Sequence, residues 1–293
     1  MARRISAARA FTLVELTVIV LVLALIGALI VPVFGRARGC VLRPMKDSSQ
    51  IRGITQAMVI WGASNKGSFP LPSQIDLKDE TVAVTGAAKN TSANIMSLMI
   101  WNGSVPTDLC ISPQEANPSI RQYAPYEFQS PRAAVVPENA AWDPAFTADF
   151  TGSRPGGLSY ANLIPTKERL PQWSDSAPAT TAVFGNRGPE IGSVRKGGAP
   201  SVTAIPRRST SITYLIHGPP SSWKGNIGYA DAHVDFVTHL ADTGRKTYKG
   251  SDGSAWNDVM FYDEPDDALK NNAYLGIFTT AGSSAPEFGA IWD

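Results

Sequence analysis

His217, Asp231, His233, Asp235 and His239 form the densest group of side chains in the sequence able to ligate a metal or move protons. Two residues apart on an extended strand, His233 and Asp235 point to one face while Val234 and Phe236 point to the other, so a metal or hydrolytic site is conceivable there. The same pattern suits an Asx-type turn at Asp231 with the other polar residues on a solvated face. No HExxH, GxSxG, P-loop or GxGxxG pattern accompanies the cluster, which favours the turn. A second acidic group comprises Asp263, Glu264, Asp266 and Asp267, with Asp252 and Asp258 nearby. Its oxygens could serve calcium, but no EF-hand spacing is present, and solvated loop acids are the favoured reading. Asp231, His233, Asp235, Asp263 and Asp266 are therefore the candidate metal ligands, and the sequence requires no cofactor.

Cys40 and Cys110 are the two cysteines, too few for a disulfide framework or an unaided four-ligand zinc site. A single bridge between them and a pair of unpaired thiols both remain open. Seven Trp and eight Tyr, scattered singly, fit core or rim positions better than a base- or sugar-stacking surface. The net charge is +1, without blocks of like charge, so a polyanion-binding protein is not the expectation.

The basic residues Arg3, Arg4 and Arg9 stand in the first ten positions with no acid, and removing those ten takes the net charge to −2. From Leu16 to Gly35 no charged residue occurs. At about 1.5 Å per residue, such a run as a helix spans roughly 30 Å, which predicts a transmembrane helix with its N-terminus in the cytoplasm. No A-x-A-like site follows the run, so cleavage after it, as in a secretory signal, is disfavoured. Glu15 stands four residues into the apolar stretch that opens at Phe11. A carboxylate in that position costs about 2.5 to 3.5 kcal/mol at mid-bilayer, so either it snorkels or a partner compensates for it.

Arg9-Ala10-Phe11-Thr12-Leu13-Val14-Glu15-Leu16 resembles the signal of type IV prepilins and type II secretion pseudopilins: a short basic leader, a small residue, then Phe-Thr-Leu-x-Glu opening a long apolar helix. The resemblance implies cleavage between Ala10 and Phe11 by a prepilin peptidase and N-methylation of Phe11. It also implies that the Glu15 carboxylate pairs with the N-terminal amine of a neighbouring subunit. Pro32 falls where many family members carry a helix-kinking proline. The family usually has Gly before the cut, where this chain has Ala10. Major pseudopilins of that family bind calcium in C-terminal loops, which bears on the second acidic group. Further along, His217 followed by Asn226-Ile227-Gly228-Tyr229-Ala230-Asp231-Ala232-His233-Val234 is similar to the C-terminal signature of a large group of prepilin-like proteins. Ala232 stands there for the usual Gly, and the spacing from His217 is longer.

Gly35, Gly39 and Pro44 allow the first helix to loosen after Pro32. Ile51, Ile54, Met58 and Trp61 then recur at helical spacing, one apolar face that ends by Asn65-Lys66-Gly67. A second short helix is expected at Met96–Trp101. Ser104–Gly198, punctuated by prolines and glycines, reads as a long irregular insertion with a few strands. Ser211–Leu215 reads as a strand, and Asn226–Val237 as a hairpin turning at Asp231-Ala232.

These readings combine into an α+β, pilin-like fold: a long N-terminal membrane-anchored helix packed on a globular head with an antiparallel sheet. The expected divisions are 1–10 as a basic leader, 11–64 as a transmembrane and assembly helix, and 65–293 as an extracytoplasmic head. The expected function is that of a non-enzymatic structural subunit of a type IV pilus-like or type II secretion pseudopilus filament. Its expected partners are prepilin peptidase, other pilin or pseudopilin subunits, an inner-membrane assembly platform and the lipid bilayer, not nucleic acid. The expected location is the inner membrane, single-pass, with the head outside. A membrane-tethered extracytoplasmic protein that binds glycan or DNA is the alternative, and an anchored hydrolase built on His217–Asp235 a third.

Overall fold

A computed structural model describes the backbone of residues 13–241 and 246–293, and their side chains except those of 25–42. Helix α1 (Leu13–Ser64) runs past Pro32, Gly35, Gly39 and Pro44. A proline deletes one backbone hydrogen bond and bends a helix without having to end it, so the expected loosening there is not realised as a break. The chain divides into two compact units, Met1–Met45 and Lys46–Asp293.

In the first unit the side chains of residues 13–24 are exposed, Leu13, Val14 and Leu16 among them. Thr17 donates its hydroxyl to the Leu13 carbonyl at 2.7 Å. The expectation of a long membrane-anchored helix, and with it of a transmembrane segment and a single-pass inner-membrane location, is corrected here. Among the described residues no helix is long and apolar enough to cross a membrane.

The second unit is a mixed helix and sheet body. Ile51, Ile54 and Met58 of α1 are buried, as their helical spacing requires. The helix ends where Lys66 takes a left-handed φ of 56° and Gly67 one of 82°. The Gly67 amide returns to the Gly62 carbonyl at 2.9 Å, closing a Schellman-type cap. After α2 (Pro72–Ile75) comes α3 (Ser92–Trp101), capped by Thr91, whose hydroxyl accepts from the Asn94 amide.

The strands that follow are β1 (Tyr160–Leu163), β2 (Ala182–Asn186), β3 (Ile191–Lys196) and β4 (Val202–Pro206). Helix α4 (Tyr214–His217) leads to β5 (Gly225–Tyr229), β6 (Val234–Val237), β7 (Thr247–Lys249), β8 (Ala255–Asn257), β9 (Leu275–Thr280) and β10 (Gly289–Ile291). The central sheet has the order β10-β9-β1-β2-β5-β6 and is antiparallel throughout, while β3-β4 and β7-β8 form two smaller sheets.

The segment 104–198, expected as an irregular insertion with a few strands, supplies β1 and β2, which sit at the centre of the sheet between β9 and β5. One expectation changes. Ser211–Leu215 is no strand: the Ser211 hydroxyl accepts from the Thr213 amide at 3.2 Å, the Tyr214 amide bonds the Ser211 carbonyl at 3.2 Å, and α4 follows. Local side-chain bonding of this kind overrides β-propensity.

The helix reaches the sheet through a gap left by glycine. A Cβ on Gly228 of β5 would lie 2.7 Å from Thr55 Cγ2 and 2.9 Å from Ile51 Cγ2, so α1 lies against β5 with no room for a side chain between them.

Candidate functional site

At the start of the head's share of α1, Asp47 is fully buried. It lies on the same helical face as Ile51 and Met58, where a charge is expensive unless it is fully bonded. Four donors reach its carboxylate. Oδ1 accepts from the Ser112 hydroxyl and from the Tyr160 hydroxyl, the latter at 3.1 Å. Oδ2 accepts from His217 Nε2 at 2.9 Å and Asn226 Nδ2 at 2.7 Å. An ionised carboxylate offers about four lone-pair sites, so its acceptor capacity is used up.

The donors come from far apart in sequence. Tyr160 opens β1, His217 ends α4, Asn226 lies on β5, and Ser112 belongs to the turn after Cys110. Gln50, one helical turn after Asp47, donates to the Ile111 carbonyl at 3.3 Å and extends the polar contact toward the same turn. The His217 ring packs edge-on against Phe236 of β6, centroids 5.6 Å apart.

Burial alone would raise the Asp47 carboxyl. The hydrogen bonds from His217, Ser112 and Asn226 outweigh that and hold it below the ordinary carboxylate value. Burial, followed by the nearby Asp47 charge, pushes the Tyr160 phenol well above its ordinary value.

The cluster contains a serine, a histidine and an aspartate, yet not in a nucleophilic arrangement. Ser112 bonds the carboxylate and not the imidazole, whereas acyl transfer requires the hydroxyl on the base. The side chains of His217 and Asp47 are 2% and 0% exposed, which leaves no approach for a substrate. What this arrangement can do is clamp one helix to four other segments.

The group read from the sequence as one cluster is divided. His217 belongs to Asp47. His233 pairs through Nδ1 with Asp231 and through Nε2 with Asp235 at 3.3 Å, and it stacks on Tyr229 with ring centroids 4.3 Å apart. The Asp231 carboxylate also accepts from the His233 amide at 3.1 Å, the Asx-type turn. Burial raises Asp231, and the hydrogen bonds from the His233 ring and amide together with the His233 charge more than reverse it, so its carboxyl lies below the ordinary value. His239 lines a separate cleft of about 370 Å³ with Tyr214 and Trp223.

The acidic loop is likewise engaged internally. Asp263 pairs with Arg169 at 2.6 Å and Lys270 at 3.0 Å, and Asp266 with Lys196 and, at 3.2 Å, with the Tyr248 hydroxyl. Among the described residues no group of three or more His, Cys, Asp or Glu side chains could hold a metal ion. Glu264, 1% exposed, is pushed up to about 10 by burial and then by the neighbouring Asp258 charge.

Of the remaining sequence candidates, Ala10 and Phe11 lie outside the described residues, as do the side chains of Pro32 and Cys40. Glu15 occupies the first turn of α1. Cys110 is a free, buried thiol, pushed up by burial and then by Asp108. Trp142, Trp173, Trp223 and Trp256 are buried, as core residues are.

Sequence reasoning missed Asp47, Ser112, Tyr160 and Asn226. A signal existed for Asp47, a charge placed four residues before Ile51 on an apolar helical face. Asn226 stood in the stretch after His217 that resembles the C-terminal signature, without a role attached to it, and no signal existed for Ser112 and Tyr160, which only the fold brings in. A scan against protein-family models found no match, and neither did searches among curated proteins and among solved structures.

Proposed function

We propose that the chain is a structural subunit of a type IV pilus-like or type II secretion pseudopilus filament, matured by a prepilin peptidase between Ala10 and Phe11. The observation that carries this reading is the register of Arg9 to Leu16, with Glu15 in the first turn of a helix on which Leu13, Val14, Leu16 and the six residues Val18 to Leu23 are exposed apolar groups. Apolar surface on this scale calls for a cover. Copies of the same helix supply one, and repetition of a single head-to-tail contact builds a helical filament. In that packing the Glu15 carboxylate meets the Phe11 amine of the next subunit and sets the register. The partners are then the peptidase, other pilin or pseudopilin subunits and the assembly platform. The head is cargo on the helix, held as a unit by the Asp47 clamp.

Maturation is the first test. Full-length protein made with an active prepilin peptidase should lose Met1 to Ala10 and carry one methyl group on Phe11, read by intact mass. With an inactive peptidase it should keep its leader. Retention of Met1 to Ala10 in the presence of active peptidase would overturn the proposal.

A further inference from the structure

The segment Lys46–Ser64 of α1 is held on the sheet in two ways. From Ile51 onward the contacts are apolar and close, Ile51 and Thr55 meeting Gly228 with no side chain between. Before Ile51 the attachment is polar: Asp47 with its four donors, and Gln50 with the Ile111 carbonyl. The two halves therefore answer differently to acid, because only the first depends on an ionised group.

Protonating Asp47 disturbs every bond it makes. A proton on Oδ2 would face the NH2 group of Asn226, which only donates, and the N–H that His217 Nε2 presents in the tautomer that bonds the carboxylate. A proton on Oδ1 would face the hydroxyls of Ser112 and Tyr160. Either could rotate to accept it, but would then need a new acceptor for its own proton, and Gln50 Oε1, 3.4 Å from the Tyr160 hydroxyl, serves at most one of them. The titratable groups facing the carboxylate are His217 from α4 and Tyr160 from β1, with the Cys110 thiol near Tyr160. Ser112, Asn226 and Gln50 complete the shell.

We propose that Asp47 and His217 form an acid-operated latch: with the carboxylate ionised, the first turn and a half of Lys46–Ser64 is locked to α4 and β5, and on protonation those turns come off while the helix from Ile51 onward stays seated. The latch rests on the head's geometry and is independent of the filament reading. Because the folded-state carboxyl lies below its ordinary value, the lock is fully present above about pH 4 and is lost as the pH falls through the folded value.

Hydrogen exchange on the full-length chain between pH 6 and pH 2.5, corrected for intrinsic exchange, tests it. Amides in 47–50 should lose protection by roughly tenfold or more for each pH unit below the transition, while those in 54–60 hold theirs. Asp47→Asn should show no such transition. If Asp47→Asn does not fold, His217→Gln should: it keeps a neutral donor toward the carboxylate, and should stay protected at pH 6 while its transition moves up toward the ordinary carboxylate value. Protection of 47–50 that persists to pH 2.5, parallel loss in wild type and Asp47→Asn, or an unmoved transition in His217→Gln would each overturn the latch.

Discussion

Ala232 holds a left-handed φ of 65° at the β5–β6 turn, a conformation that costs a residue with a Cβ about 1–2 kcal/mol. Ala232→Gly removes that strain and adds some chain entropy to the unfolded state. It should therefore stabilise the protein by about 0.5–1 kcal/mol, read as a higher midpoint in urea at unchanged slope; a lower midpoint would contradict the turn geometry. At Glu264 the sign runs with pH. The unfolded chain releases this proton near the ordinary value, whereas the native state keeps it to about 10. Between those limits the native state binds more protons, and stability falls as pH rises. Glu264→Gln retains the acceptor for the Val259 amide and has no proton to lose. It should raise the melting temperature at pH 8 more than at pH 5, and an equal shift at both would contradict the raised carboxyl.

At the scale of elements, the close seating of α1 on β5 depends on what Gly228 lacks. Gly228→Ala forces a methyl to within 2.7 Å of Thr55 Cγ2, an overpacking that should cost about 1–3 kcal/mol. Thr55→Ser removes that methyl but keeps a hydroxyl able to bond the Ile51 carbonyl, which Thr55 reaches at 3.0 Å. It should therefore relieve part of the cost in a double-mutant cycle, and additive effects would place the helix elsewhere. Elements with a strong period were legible beforehand. Ile51, Ile54 and Met58 marked a buried helical face, and the alternation around Asp231-Ala232 marked the hairpin that is β5–β6. Elements governed by local bonding or by distant partners were not. Ser211 turned an expected strand into a turn and a short helix, and β1 and β2 reached the centre of the sheet through strand pairing that no local pattern records. The clamp was half legible for the same reason: His217 stood out by its chemistry, while its partner lies 170 positions earlier.

At the scale of the whole chain, the two units carry different features. The head, Lys46–Asp293, carries its own core, with the sheet, the α1 face and the clamp all within it. Glu15 and the exposed apolar side chains belong to the other unit, Met1–Met45. A change at Glu15 should therefore leave the melting of the head unaltered and act on association alone. In a packed filament core, losing the carboxylate leaves the neighbour's Phe11 amine buried without its counter-charge, which is strongly destabilising when one partner of a buried pair is removed. Glu15→Gln keeps size and hydrogen bonding but not charge, so it too should fail if the pairing is ionic. The most direct measurement is the yield of sheared filaments containing this subunit, compared between wild type and Glu15→Ala in cells where intact mass shows both to be processed equally. The filament account predicts wild-type filaments and a loss of Glu15→Ala from them, with an unchanged head melting temperature; Glu15→Ala filaments at wild-type abundance would contradict it.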